Sequence, residues 1–207
     1  MTTRPKAEQR RRDLCDAAIE LLAADGARGL THLRVDRHAG FADGTTSFYY
    51  QTRAALLRGA MDRVIELDIA DFTTALNATG DGEVDSLLST LAAQAMRTAV
   101  EPERSRARAR FELMMIASRD PDLGVVFDSL MGRFVAISEA AVAQVQPVGT
   151  PPDQELIKEQ AFAVVTFLGG IIFRLAYGLT DMDNAKSLER YLHSVIAGVA
   201  ADHGITT

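Results

Sequence analysis

The sequence predicts an all-α protein with a small helix-turn-helix head at its N-terminus and a larger helical body behind it. Three observations carry this. Strand-type alternation is scarce in the 207 residues, Trp is absent and Pro numbers only six, which favours helix. Apolar residues recur at helical spacing along nearly the whole length. Residues 31–58 read as a short helix, a tight turn at Gly40, a second short helix and the start of a longer one.

The elements follow in order. Residues 1–7 are expected to form a flexible arm. The first helix is predicted from Glu8 to Asp25, with Leu14, Ala17, Ala18, Leu21 and Leu22 on one face. Gly26 then supplies the left-handed conformation that commonly ends a helix. Thr31 is a good N-cap for the second helix, Thr31 to Ala39, whose Val35 and Ala39 face inward. Gly40 permits the turn, Phe41 plugs it from the core side, and Asp43 is placed to cap a third helix over Gly44–Tyr50. Thr52 starts a long fourth helix that fades in the loop at Ala78–Gly82. Further helices are expected over Glu83–Val100, Glu103–Ser118, Asp122–Val145, Asp153–Gly178 and Asp183–His203, with a Pro-rich loop over Pro147–Asp153. That makes about nine.

The third helix has the residues of a major-groove reader. Such a helix needs small or hydrogen-bonding groups near its start, and Thr45, Thr46 and Ser47 supply hydroxyls there. Phe48, Tyr49 and Tyr50 follow. Some of these rings must anchor the helix, and one is open to thymine methyl groups or to the backbone. The starts of the second helix (Thr31, His32) and the fourth (Thr52, Arg53) flank it and offer free backbone N–H groups to phosphate. Arg10, Arg11, Arg12, Arg34, Arg37, Arg53 and Arg58 supply charge, which sets affinity more than sequence choice. The charge is uneven along the chain: residues 1–63 carry 11 Lys and Arg against 8 Asp and Glu, and residues 64–207 carry 11 against 20. A basic head on an acidic body suits a protein of which only one end meets a polyanion.

Residues about 8–63 resemble the N-terminal domain of the TetR family of bacterial transcriptional regulators. The residues that carry the likeness are Thr31, Val35, Ala39-Gly40, Gly44-Thr45, Phe48-Tyr49-Tyr50, Arg53 and Ala55-Leu56-Leu57, without a gap. Two positions depart from the pattern: Asp43 stands where a Lys is frequent, and Ser47 where a Tyr is. The resemblance implies a DNA-binding domain over 1–52 and a ligand-binding and dimerisation domain over 53–207. It marks Thr31, His32, Arg34, Gly44, Thr45, Thr46, Ser47, Phe48, Tyr49 and Arg53 as DNA-binding.

In the body, the resemblance implies a ligand cavity walled by helices four to eight and dimerisation through helices eight and nine. Arg110, Phe111, Met114, Met115, Phe127, Met131, Phe134, Phe167 and Arg174 are candidate ligand contacts, although Met and Phe at helical spacing also suit a plain core. An Arg on an apolar face needs a partner, either a ligand carboxylate or an internal one such as Glu112 or Asp128. Helix eight is apolar nearly all round, which is unusual for a monomer surface. Phe162, Val165, Gly169 and Gly170 on it, with Leu188, Leu192 and Val195 on helix nine, form the expected dimer interface, the glycines letting another helix approach closely.

Other classes find less support. The four His residues (32, 38, 193 and 203) show no metal-ligand spacing, and there is no Gly-rich phosphate loop, nucleophile motif or paired Cys, so neither an enzyme, a metal site nor a cofactor is expected. Cys15 is the single cysteine and lies at an apolar position. The opening MTTRPKAEQRRR lacks the apolar run of a secretion signal, so a cytoplasmic location is expected. The run Ala161–Leu179 is about the length of a membrane span, but Arg174 inside it argues for a buried helix. The expected partners are double-stranded operator DNA, a small-molecule effector and a second copy of the chain. The function these readings point to is a ligand-released repressor. An activator, or a helical interaction module that does not bind DNA, is the alternative.

Overall fold

The computed structural model describes residues 3–78, 87–146 and 153–204. Among the described residues it is all helical, with α1 (Thr3–Gly29), α2 (His32–His38), α3 (Thr45–Tyr49), α4 (Arg53–Ala78), α5 (Leu87–Arg97), α6 (Glu103–Ala117), α7 (Pro121–Gln144), α8 (Gln154–Ala176) and α9 (Ala185–Asp202). The all-α expectation holds. The loops expected at Ala78–Gly82 and Pro147–Asp153, and the expected start of the fifth helix, fall largely outside the described residues.

The arm is shorter than expected, because α1 already begins at Thr3. Its break does come at Gly26, where φ is 64°, and one more helical turn follows to Gly29. Other termini follow their caps. Thr31 accepts a hydrogen bond from the Arg34 amide at 3.2 Å, Thr52 from Ala55 at 3.1 Å, Asp153 from Glu155 at 3.0 Å and Asn184 from Ser187 at 2.9 Å. Each satisfies an amide that the first turn leaves without a helical partner.

The chain packs as two compact units, Met1–Ile69 with Glu101–Asp128, and Ala70–Val100 with Ser129–Thr207. In the first, α1 packs against α6, and Leu14, Leu22, Leu30, Val35, Leu56, Met61 and Leu113 are fully buried. Burying each such side chain stabilises by about 1.5–3 kcal/mol. Polar ties reinforce the α6 contact: Glu112 accepts from the Ala27 amide at 3.3 Å. Asp68 sits between Arg106 at 3.0 Å and Arg110 at 2.6 Å.

In the second unit α5, α8 and α9 enclose Leu88, Val164, Leu188 and Leu192. Helix α8 is long and apolar enough to cross a membrane by length and composition. One face of it is nonetheless a core face, with Leu156, Ile157, Ala161, Val164, Leu168, Ile171 and Leu175 buried. Gln160 is buried on the same face with both polar atoms bonded: it donates to the Ile196 carbonyl at 3.0 Å and accepts from Gln146 at 2.9 Å.

Candidate nucleic-acid interface

Helix α3 has five residues, too few to stabilise itself. It is held from outside at both ends. Gly40 and Gly44 make the turn between α2 and α3 with φ of 70° and 96°, conformations that other L-residues rarely adopt. Gly44 occupies the N-cap position and has no side chain to cap with. The cap comes instead from Asp36, in the middle of α2. Its Oδ2 accepts from the Gly44 amide at 2.7 Å, and its Oδ1 accepts from the amide and hydroxyl of Thr46 at 2.6 and 2.5 Å. Asp36 is only 1% exposed and Thr46 fully buried. At the other end, His32 Nε2 donates to the Tyr50 carbonyl at 2.7 Å, and Arg11 donates to the Tyr49 carbonyl at 3.2 Å.

Tyr50 anchors the C-terminal end of α3 through its side chain. Its hydroxyl lies 3.0 Å from Cys15 Sγ, and a Cβ on Gly59 would come within 2.7 Å of its ring, so Gly59 makes room for it. Burial pushes the Tyr50 phenol up and raises the Cys15 thiol to about 11. Arg11, Arg12, Tyr49, Tyr50 and Arg58 line part of a groove of about 440 Å³ beside these groups.

Several expected contact residues therefore have other tasks. Thr46 does not present its hydroxyl to the surface, because Asp36 holds it inside. Asp43 does not cap α3 but faces Arg37 at 3.5 Å, with both side chains exposed. His32 spends its ring nitrogen on α3 itself. Arg34 is paired with Asp25, and Arg53 donates to the Ala27 carbonyl at 2.6 Å. Thr45 is half-buried and donates to the Ala42 carbonyl at 2.7 Å. The outward face of α3 is left with Gly44, Ser47 and Phe48, with Tyr49 half-buried beside them. Thr31, Arg34, Arg37, Arg53 and Arg58 are exposed on the flanking helices.

The candidate ligand contacts divide between the two units. Arg110, Phe111, Met114, Met115 and Phe127 belong to the first, and Met131, Phe134, Phe167 and Arg174 to the second. Arg110 pairs with Asp68. Met115 is exposed, and Phe127 packs against the first core. Phe167 packs against the second core, its ring 6.4 Å from that of Tyr191. Arg174 is exposed on the outer face of α8, which places it on the surface and not in the interior.

The expected interface residues also divide. Phe162 is 72% exposed, Gly169 and Gly170 are exposed, and a Cβ at either glycine would meet open space. Val165 and Val195 are half-buried. Leu188 and Leu192 are fully buried in the chain's own core, so they cannot form a surface for a second copy. The exposed apolar face of α8 and α9 instead includes Phe173, Tyr177 and Tyr191.

A capped helix-turn-helix with the outer face of its second helix open, at the head of an all-α chain, is the architecture of a DNA-binding transcriptional regulator. The sequence profile described as "Tetracyclin repressor-like, C-terminal domain" matches residues 82–198, more than half of the chain. The chain belongs to the TetR family. No curated protein matches it in sequence. Its fold is shared by solved structures of low identity. A protein described as a TetR-family transcriptional regulator from Rhodococcus sp. is 21% identical, with a TM-score of 0.70 over 92% of this chain and 98% of that one. A TetR-family member from Streptomyces coelicolor is 24% identical, with a TM-score of 0.69 over 90% and 97%. A transcriptional regulator from Saccharomonospora viridis, solved in complex with choline, is 15% identical, with a TM-score of 0.73 over 91% and 96%.

Proposed function

We propose that the chain is a cytoplasmic, dimeric repressor that binds a palindromic operator and leaves it when a small molecule binds the body. The observation that carries the reading is the presentation of α3. Asp36, His32 and Arg11 fix a helix too short to stand alone, Ser47 and Phe48 face outward, and exposed arginines flank it. A rigid reader costs little ordering on binding, and the arginines supply phosphate contacts. On this reading residues 1–52 read DNA, and residues 53–207 hold the effector and the second copy.

Dimerisation is supported by the exposed apolar face of α8, with Phe162, Gly169, Gly170 and Phe173, since patches of this kind mark association surfaces. A two-fold dimer matches a palindrome. Effector response is supported by the choline complex of the Saccharomonospora viridis protein and by an imidazole complex of the multidrug-binding protein EbrR, which has the same fold. A ligand releases DNA only if it prefers the dimer geometry that does not fit the operator.

The test is selection of duplexes from a random pool by the full chain, followed by fluorescence anisotropy over a range of salt. A duplex preferred over random DNA, with affinity that falls steeply with salt, is the expected result. Equal affinity for all duplexes at moderate salt overturns the reading.

A further inference from the structure

The three hydroxyls at the start of α3 are not equivalent. Thr46 is buried on Asp36, and Thr45 is half-buried with its hydroxyl on the Ala42 carbonyl. Only Ser47 faces solvent fully. Beside it stands Phe48, 78% exposed, the most exposed of the large apolar side chains described. The Tyr49 ring meets it edge to face at 5.1 Å and 85°, which orients the phenyl without covering it. Helix α3 cannot roll to hide Phe48, because Asp36 fixes one end and His32 and Arg11 the other.

An exposed phenyl ring gains nothing from phosphate oxygens or from base-edge donors and acceptors. The apolar group that a duplex displays in the major groove is the 5-methyl of thymine, and aromatic contact with it discriminates thymine from the other bases. The flanking helices carry exposed Arg53 and Arg58, and exposed Arg34 and Arg37 beside the carboxylates of Asp25 and Asp43, guanidinium groups within reach of a duplex backbone. We infer that Phe48 is a specificity-determining residue that reads a thymine 5-methyl group. The inference rests on the reading of α3 as the DNA-reading helix and names what that helix reads.

The experiment uses the duplex selected from the random pool, with each dT replaced in turn by dU. That change removes one methyl and leaves the base-pairing edge and the O4 acceptor intact. Affinities are measured for the wild-type chain, Phe48→Ala and Phe48→Leu at one salt concentration. One dT in each half-site should be sensitive: its replacement should weaken the wild-type chain about fourfold, the value of one buried methyl. The same replacement should leave Phe48→Ala unaffected, with Phe48→Leu between the two. Thermal unfolding of both variants should match wild type, because the ring is exposed.

Three results overturn the inference while leaving the regulator reading intact. They are a wild-type chain indifferent to every dU, a dU effect that persists in Phe48→Ala, or a Phe48→Ala loss equal on selected and random duplexes. A pool that yields no preferred duplex overturns both.

Discussion

Asp36→Asn tests what holds α3 in place. The two oxygens of Asp36 divide three donors, the Gly44 amide on Oδ2 and the Thr46 amide and hydroxyl on Oδ1. Asparagine has nearly the same shape but one acceptor oxygen. If that oxygen stays with Thr46, its NH2 group faces the Gly44 N–H, donor against donor. If it flips, both Thr46 donors lose their partner inside the protein. The better arrangement forfeits one hydrogen bond to a carboxylate, a loss of about 2 kcal/mol. Asp36→Ala strands all three donors and should cost about 4 kcal/mol, with the bonds not fully additive.

Because α3 is a single short turn, this loss should fall on local opening rather than on global unfolding. Hydrogen exchange at the Thr46 amide measures it directly. A 2 kcal/mol loss corresponds to exchange about 30-fold faster, while amides of α1 and α6 should keep their protection. DNA affinity should fall only by the fraction of chains in which α3 is disordered, so Asp36→Ala should be hit harder than Asp36→Asn. Thr46→Val, which removes one donor and leaves the amide on Oδ1, should cost about 1 kcal/mol. If Asp36→Asn leaves Thr46 exchange unchanged, the carboxylate is not what holds the helix.

Three further outcomes are expected. Asp68→Ala removes the carboxylate that Arg106 and Arg110 share and should lower stability by about 2 kcal/mol, the value of a lost hydrogen bond to a charged group, read from denaturant midpoints at unchanged slope. Cys15 ionises near 11 in the folded chain against an ordinary 9.0; the neutral thiol is favoured by folding, so its contribution is complete below pH 9 and is lost as pH rises from 9 to 11. Native thiol alkylation at pH 8 should accordingly be far slower than in denaturant. Gly170→Glu projects into open space within the chain, so helicity and melting of the monomer should hold while sedimentation shows the dimer lost and operator binding lost with it.

Most of the head was legible because its signals are local. Thr31, Val35 and Gly40 act on residues within a few positions of themselves, and cap, core and turn all fall where their residue types point. Asp36 was not legible. A charged residue between Val35 and Arg37 reads as a solvated position, since charges are rarely buried unless paired, and its three partners lie eight and ten residues away. The phase of α3 was hidden for a related reason. Five residues span too little of a 3.6-residue period to say which of Thr45, Thr46 and Ser47 turns inward. Once Asp36 is seen, Thr46 must turn in and Ser47 and Phe48 must turn out. In the body, Leu188 and Leu192 were expected at the dimer interface and are instead fully buried in the chain's own core; a core and an interface both demand apolar side chains, and periodicity does not separate them.

Helix α8 shows how far such separation can go once burial is known. Its apolar residues fall into two sets. Leu156, Ile157, Ala161, Val164, Leu168, Ile171 and Leu175 complete the chain's own core. Phe162, Gly169, Gly170 and Phe173 lie outside it. Glycine inside a helix costs about 1 kcal/mol relative to alanine, and two in succession are a cost the chain does not need to meet for itself. Neither glycine has the positive φ that would require it, and a Cβ at either would touch no neighbour. Among the described residues the absence of side chains there serves no intrachain contact, yet it lowers the surface of α8 between two exposed phenyl rings at the point where the proposed second copy would come closest. Small residues flanked by large apolar ones suit close helix packing across a two-fold axis. On the proposed dimeric reading, the composition of α8 is accounted for by two partners, its own core and a second copy.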